Sequence, residues 1–316
     1  MLSIIITAWR EEKTIGNLIS CILNPTFLNY FQDNFELILA CPDDETYNAA
    51  MYEIKMLSSR VDSTKWRTGG LENNFIHIKD EKKGKPAALN QCFKIAKGEF
   101  LFLTDGDLTY LSENAIVDLH NKLKSNDKLG AVTGHPISAD EKNTLFGYWG
   151  NLLADTANEV RVRKSESNKF FPVSGYNFMM RNFKLELPSE VLSDDAWMSY
   201  KIKELGFEIG YEEKALCKIK YPQNMKDWYK QKVRSLGGYV QLHELGIINS
   251  ANKSRSFWGE IALATYPIKY AKNVKEFIWS LLLYPTRLWL WIKIFWERKI
   301  IKKSFAKTWV RVESTK

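Results

Sequence analysis

The sequence predicts an α/β protein: a mostly parallel sheet flanked by helices, followed by an aromatic-rich helical extension. Three observations carry this. Short β-branched apolar runs alternate with helical-period segments through the first hundred residues, the pattern of right-handed βαβ units. Most of the runs end in a polar cluster holding Asp or Lys, and in such sheets ligands sit beyond the carboxyl ends of the strands. The 11 tryptophans of the 316-residue chain also crowd towards its C-terminal end.

Taken in order, Leu2–Thr7 is a β-branched apolar run, expected as a strand buried on both faces. Ile15, Leu18, Ile19 and Ile22 follow at helical spacing, with Thr14 as N-cap. Phe35–Ala40 predicts a second strand, which Pro42 stops before Asp43, Asp44 and Glu45 start a loop or helix. Ser58–Asn74 is polar and reads as a solvated loop ahead of a third strand, Phe75–Ile78. Pro86 opens a helix with Leu89, Cys92, Phe93 and Ala96 on one face, closed by Gly98. Phe100–Leu103 is the fourth strand and runs into Thr104-Asp105-Gly106-Asp107. Beyond it Ser112 caps a helix through Leu123, Leu129–Thr133 and Phe207–Tyr211 read as strands, and Ser193 precedes a helix that Gly206 ends. A longer helix, from Lys226 to Leu245, puts Trp228, Gln231 and Arg234 on one stripe.

Composition narrows the function. With 45% hydrophobic and 26% charged residues, wholesale disorder, collagen-like and disulfide-scaffold classes are excluded. Cys21, Cys41, Cys92 and Cys217 form no Cys-x-x-Cys pair, and the four histidines show no His-x-x-x-His spacing, so neither a zinc site nor a redox dithiol is indicated. The scattered cysteines suit a reducing compartment. The N-terminus runs straight into Ser3-Ile4-Ile5-Ile6, which reads as a core strand rather than a signal peptide. A cytoplasmic location is therefore expected. The net charge of +8 raises nucleic acid as a partner, but much of the excess lies beside Trp and Leu near the C-terminus and no nucleic-acid-binding motif is evident, so that partner is not expected.

The segment Phe277–Trp296 approaches the length of a membrane span, yet Pro285, Arg287 and Lys293 interrupt it. Aromatic side chains interleaved with Lys and Arg are the composition of a helix lying in the lipid headgroup region. Arg298, Lys299, Lys302, Lys303, Lys307 and Arg311 follow and suit anionic lipid. Attachment to the cytoplasmic face of a membrane is the expectation; packing on the catalytic core and a single span are the alternatives.

Several clusters can carry chemistry. Asp105-Gly106-Asp107 places two carboxylates about a glycine at a strand end, where hard oxygens can hold Mg²⁺ or Mn²⁺ against a diphosphate; taken alone the triplet is an ordinary turn. Lys82-Lys83-Gly84-Lys85-Pro86 stands before a helix N-terminus, a position that favours phosphate. Asp194-Asp195 opens another helix and can supply a general base, although Asp in a first turn also stabilises a helix unaided. Gln231 and Arg234 can clamp an anion. Phe171–Asn177 is a tight, glycine-containing stretch whose Tyr176 can stack on a sugar.

In this order the clusters resemble the family 2 inverting glycosyltransferases, over residues 1–245. Ile4-Ile5-Ile6-Thr7-Ala8-Trp9-Arg10-Glu11-Glu12 is similar to that family's Ile-Ile-Pro-Ala-Tyr-Asn-Glu-Glu opening, with Thr7, Trp9 and Arg10 departing. Gly84-Lys85-Pro86-Ala87-Ala88-Leu89-Asn90 matches its Gly-Lys-x-x-Ala-Leu-Asn segment, and Asp105 and Asp107 its Asp-x-Asp. Asp194-Asp195 stands at its Glu-Asp, and Gln231-Lys232-Val233-Arg234-Ser235 resembles its Gln-x-x-Arg-Trp, with Ser235 in place of Trp. The resemblance implies a nucleotide-diphospho-sugar transferase (GT-A) fold over 1–250, a nucleotide-binding half over 1–110, an acceptor half over 111–250, and the extension over 251–316. It implies that Ala8, Glu12 and Asp43 line the nucleoside pocket. Lys85, Asp105, Gln231 and Arg234 then meet the donor, Asp105 and Asp107 the metal, and Gly175, Tyr176 and Asp194 the acceptor, with Asp195 as base. The implied reaction moves a sugar from a UDP- or GDP-sugar to a glycan or lipid-linked acceptor. A polyprenyl-phosphate sugar synthase and a nucleotidyltransferase are rivals on related folds.

Overall fold

Strands β1 (Leu2–Thr7) and β2 (Phe35–Cys41) are buried along almost their whole length, as apolar runs without alternation require. With β3 (Phe75–Lys79) and β4 (Phe100–Asp105) they form the parallel part of the sheet, in the order β3-β2-β1-β4. In register, Leu2 faces Phe35 on one side and Phe100 on the other, and Thr7 faces Asp105. The computed structural model describes residues 1–60, 70–249, 259, 261, 263–297 and 313–315.

The eight-stranded sheet is mixed. It continues from β4 through β7 (Asn177–Arg181), β6 (Leu129–Ser138), β8 (Glu208–Ile219) and β5 (Thr109–Tyr110). Here β7 runs antiparallel to both β4 and β6, and β5 antiparallel to β8. An apolar run announces a buried strand but not its direction, so this half was beyond the pattern. Strands β6 and β8 also run on past the predicted Thr133 and Tyr211.

Helices α1 (Ile15–Ile22), α4 (Lys85–Ile95), α7 (Asp194–Glu204) and α8 (Met225–Glu244) fall where periodicity places them. Helix α3 (Asp44–Arg60) begins at the predicted acids and takes in Ser58–Arg60, and Leu71–Asn74 is a 3₁₀ turn, so those ends of the expected loop are helical; residues 61–69 lie outside the described residues. Helix α5 (Ala115–Lys124) starts after Asn114, and Ser112 instead accepts from the Asn114 N–H. Two helices were not anticipated: α2 (Pro25–Phe31), capped by Asn24, and α6 (Leu145–Glu166), capped by Thr144. Gly98 does not close α4, which ends at Ile95. A Cβ there would stand 2.5 Å from the Ser3 amide nitrogen, so the glycine serves close approach to β1.

The chain divides into two compact units. One holds Met1–Pro136, Pro172–Ser189 and Asp194–Ile219; the other holds Ile137–Phe171, Glu190–Ser193 and Lys220–Lys316. The second unit has its own core. Tyr148, Trp149 and Leu152 of α6 and Trp228 and Leu236 of α8 enclose Leu283, Leu290 and Ile294 of α10 (Val274–Phe295). A short helix, α9 (Tyr266–Tyr270), precedes α10. Among the described residues no helix is long and apolar enough to cross a membrane. The basic residues predicted for 298–311 lie outside the described residues.

Candidate active site

The site grows from the carboxyl ends of β1 and β4. Thr7 and Asp105 are register partners there, and Thr7 Oγ1 donates to Asp105 Oδ1 at 3.0 Å. Lys85 is the first residue of α4, whose N-cap Gly84 has φ +99°. Its Nζ lies 2.7 Å from the same Asp105 oxygen and 3.5 Å from Asp194 Oδ2. The three side chains are only 16–28% exposed, so water screens them weakly. Burial works against the lysine's charge, but Asp105 and Asp194 outweigh it and hold the ammonium protonated well above its usual range.

Strand reversal supplies the next group. Because β7 runs against β4, with Thr104 facing Asn177, the residues just before β7 lie beside the end of β4. Thr104 Oγ1 donates to the Tyr176 carbonyl at 3.1 Å. The Gly175 N–H donates to Asp195 Oδ2 at 3.1 Å, and the Ala196 N–H to Asp195 Oδ1 at 2.8 Å. The carboxylate is thus held by backbone on both oxygens. Burial pushes its pKa up and the adjacent Asp194 pushes it further, overcoming the two N–H donors and Lys85. A carboxylate whose pKa is raised is, in its ionised form, the stronger proton acceptor.

Gly106 fixes the turn between Asp105 and Asp107. A Cβ there would meet the Ala8 Cβ at 2.7 Å and Glu11 Cγ at 3.2 Å. Gly106→Ala must therefore displace the end of β1. A stability loss of about 1–3 kcal/mol is expected from such overpacking, read as a lowered denaturant midpoint with the slope unchanged.

The remaining predicted residues are placed as follows. Asp43 accepts from the Arg10 N–H and from both the N–H and hydroxyl of Thr46 at the start of α3. Burial opposes its charge, yet these hydrogen bonds hold its pKa below the ordinary value. Arg10 itself has φ +57°. Glu12 is exposed, and its neighbour Glu11 takes the inward position, its N–H donating to Thr46 Oγ1. Asp44 pairs with Lys79, and Lys83 with Glu81, both at the surface. Gln231 and Arg234 lie on α8 in the second unit, where the Gln231 side-chain oxygen is buried without a hydrogen-bond partner. Sequence reading missed Thr7 and Thr14, whose hydroxyls bond Asp105 and the Gly106 carbonyl. Their signal was position: Thr7 is the last residue of an apolar strand and Thr14 stands just before a helix.

Among the described residues no three His, Cys, Asp or Glu side chains form a ready-made metal cage. Asp105 and Asp107 offer two hard oxygen donors, and an oxygen of Asp105 already faces a cation, the Lys85 ammonium. Two carboxylates completed by diphosphate oxygens and water are a usual shell for Mg²⁺ or Mn²⁺. The donor set fits an ion that arrives with a diphosphate.

The chain also resembles known proteins. The model of Glycosyl transferase family 2 matches residues 3–187, and that of Glycosyl transferase family group 2 matches residues 101–295. Poly-beta-1,6-N-acetyl-D-glucosamine synthase of Staphylococcus epidermidis is 25% identical over 265 residues, covering 82% of this chain and 57% of that protein. The synthase of Staphylococcus aureus strain COL is 24% identical over 247 residues, covering 76% and 55%. The chain thus spans little more than half the length of these relatives. Among solved structures, the mannosyltransferase PcManGT of Pyrobaculum calidifontis, in complex with GDP-Man and Mn²⁺, superposes with a TM-score of 0.64 at 16% identity, covering 96% of this chain and 88% of that one. At that identity the likeness shows the fold. With the family 2 model matching more than half its length, and the strand ends and carboxylates arranged as above, the chain belongs to glycosyltransferase family 2 and is a glycosyltransferase.

Proposed function

We propose that the protein is an inverting transferase that moves a sugar from a nucleotide-diphosphate sugar, a UDP-sugar in the first instance, to a hydroxyl of a glycan or lipid-linked saccharide. The observation that carries this is Asp195, buried, raised in pKa and held by the Gly175 and Ala196 N–H groups beside Lys85 and Asp105. In this reading residues 1–110 receive the nucleotide, with Ala8, Glu12 and Asp43 at the nucleoside. Residues 111–250 receive the acceptor, near Gly175, Tyr176 and Asp194, and 251–316 form the extension.

The chemistry is a single displacement. Asp195 removes the proton of the acceptor hydroxyl, whose oxygen bonds to the anomeric carbon as the bond to the nucleoside diphosphate breaks on the opposite face. Lys85 neutralises charge developing on the departing diphosphate. A Mg²⁺ or Mn²⁺ held by Asp105 and Asp107 supplies further neutralisation of that charge. The similarity to poly-beta-1,6-N-acetyl-D-glucosamine synthases supports a saccharide acceptor.

The test is a panel of UDP- and GDP-sugars with Mn²⁺, scored for nucleoside diphosphate release. One donor is expected to be hydrolysed slowly even without acceptor, and Asp105→Asn and Asp107→Asn are expected to abolish its turnover. Release of pyrophosphate instead of nucleoside diphosphate would make the protein a nucleotidyltransferase and end the proposal.

A further inference from the structure

Helix α10 presents two apolar faces. Ser280, Leu283, Leu290 and Ile294 are buried against α6 and α8. The opposite face carries Ile278, Leu281, Leu282, Leu288, Trp289 and Ile292, each 45–57% exposed. Phe277, Phe295 and Trp296 extend it at 42%, 61% and 54%. The four aromatic rings alone, about half exposed at roughly 200 Å² each, leave about 400 Å² of apolar surface in water. That already matches the largest patch on an ordinary monomer, and the aliphatic side chains add to it.

We propose that this exposed face of α10 lies on an anionic phospholipid bilayer, with the helix axis along the surface. Among the described residues no helix is long and apolar enough to cross a membrane, and one flank of α10 is fixed to Trp149, whose indole N–H donates to the Trp279 carbonyl at 2.8 Å, which leaves the opposite flank to meet lipid. Charge selects the occupant. From residue 263 to 297 there are five basic residues against two acids, and from 298 to 311 six basic residues and no acid. Lys275 and Lys293, eighteen residues or five helical turns apart, border the apolar face on the same side. The Lys275 ammonium donates to the Asn143 carbonyl and lies over Trp279, and the Lys293 ammonium lies over Tyr229, so both keep their charge at the border of the apolar face, where it attracts anionic lipid. Such a basic face repels a second copy of itself.

The test uses the full chain and vesicles of phosphatidylcholine with and without phosphatidylglycerol. Cosedimentation with the phosphatidylglycerol vesicles is expected, weakened by salt. The triple variant Leu281→Glu, Leu288→Glu, Ile292→Glu changes only exposed positions, so it is expected to keep its melting temperature and to bind at least about tenfold less. Brominated lipid is expected to quench tryptophan emission less in Trp289→Phe than in the parent. Absence of vesicle binding, equal binding by the triple variant, or self-association that the triple substitution abolishes without any vesicle binding would overturn the proposal. Binding is read without turnover, so its failure and that of the transferase reading are separate events.

Discussion

Asp195→Asn is expected to lower kcat by about 10²–10⁴-fold, the range for loss of a positioned general base, with the KM for donor little changed. The substitution keeps shape and leaves one oxygen to accept from Gly175 or Ala196, so the fold should survive; unchanged circular dichroism and melting temperature would establish that. The pH profile gives a second readout. Burial and Asp194 favour the protonated form of Asp195, and only the deprotonated form accepts a proton. Parent kcat/KM should therefore fall on the acid side with an apparent pKa above the ordinary 3.8, and that limb should vanish in Asp195→Asn. A loss of only a few fold would instead favour a phosphate acceptor, which needs little help from a base, and the polyprenyl-phosphate reading would replace the hydroxyl one.

Trp149→Ala carries the largest expected stability effect. Trp149 is fully buried, packs on Trp228 with ring centroids 5.5 Å apart and on Phe146 at 5.7 Å, and donates to the backbone of α10. Truncating a buried tryptophan costs about 3–5 kcal/mol, a large part of the roughly 5–15 kcal/mol that holds a domain together. Guanidinium unfolding followed by circular dichroism should show it. Trp289→Ala, on the exposed face of α10, should stay within about 0.5 kcal/mol. Similar losses from the two variants would mean that α10 is not docked through Trp149.

How far the sequence could be read follows from these particulars. Strands β1, β2 and β4 were legible because burial on both faces leaves unbroken runs such as Ile4-Ile5-Ile6. Lys85, Asp105, Asp194 and Asp195 were legible as neighbours because strand ends and helix starts in such a sheet share one rim. The direction of β7 was not legible, since pairing with β4 or β6 is a choice among distant partners. Helix α6 escaped because its first half buries Tyr148, Trp149 and Leu152 while its second half is polar, so no single apolar stripe runs its length. Glu11 and Glu12 are adjacent acids, and only the turn after β1 decides which of them points inward.

The crowding of acids around a single ammonium has a consequence for nucleotide binding. Asp105, Asp194 and Asp195 outnumber Lys85, so, on the proposed reading, a nucleoside diphosphate placed there without a divalent ion would be held weakly. On that reading, affinity for a nucleoside diphosphate should drop when Mn²⁺ and Mg²⁺ are withheld, which equilibrium binding with and without the ion would show.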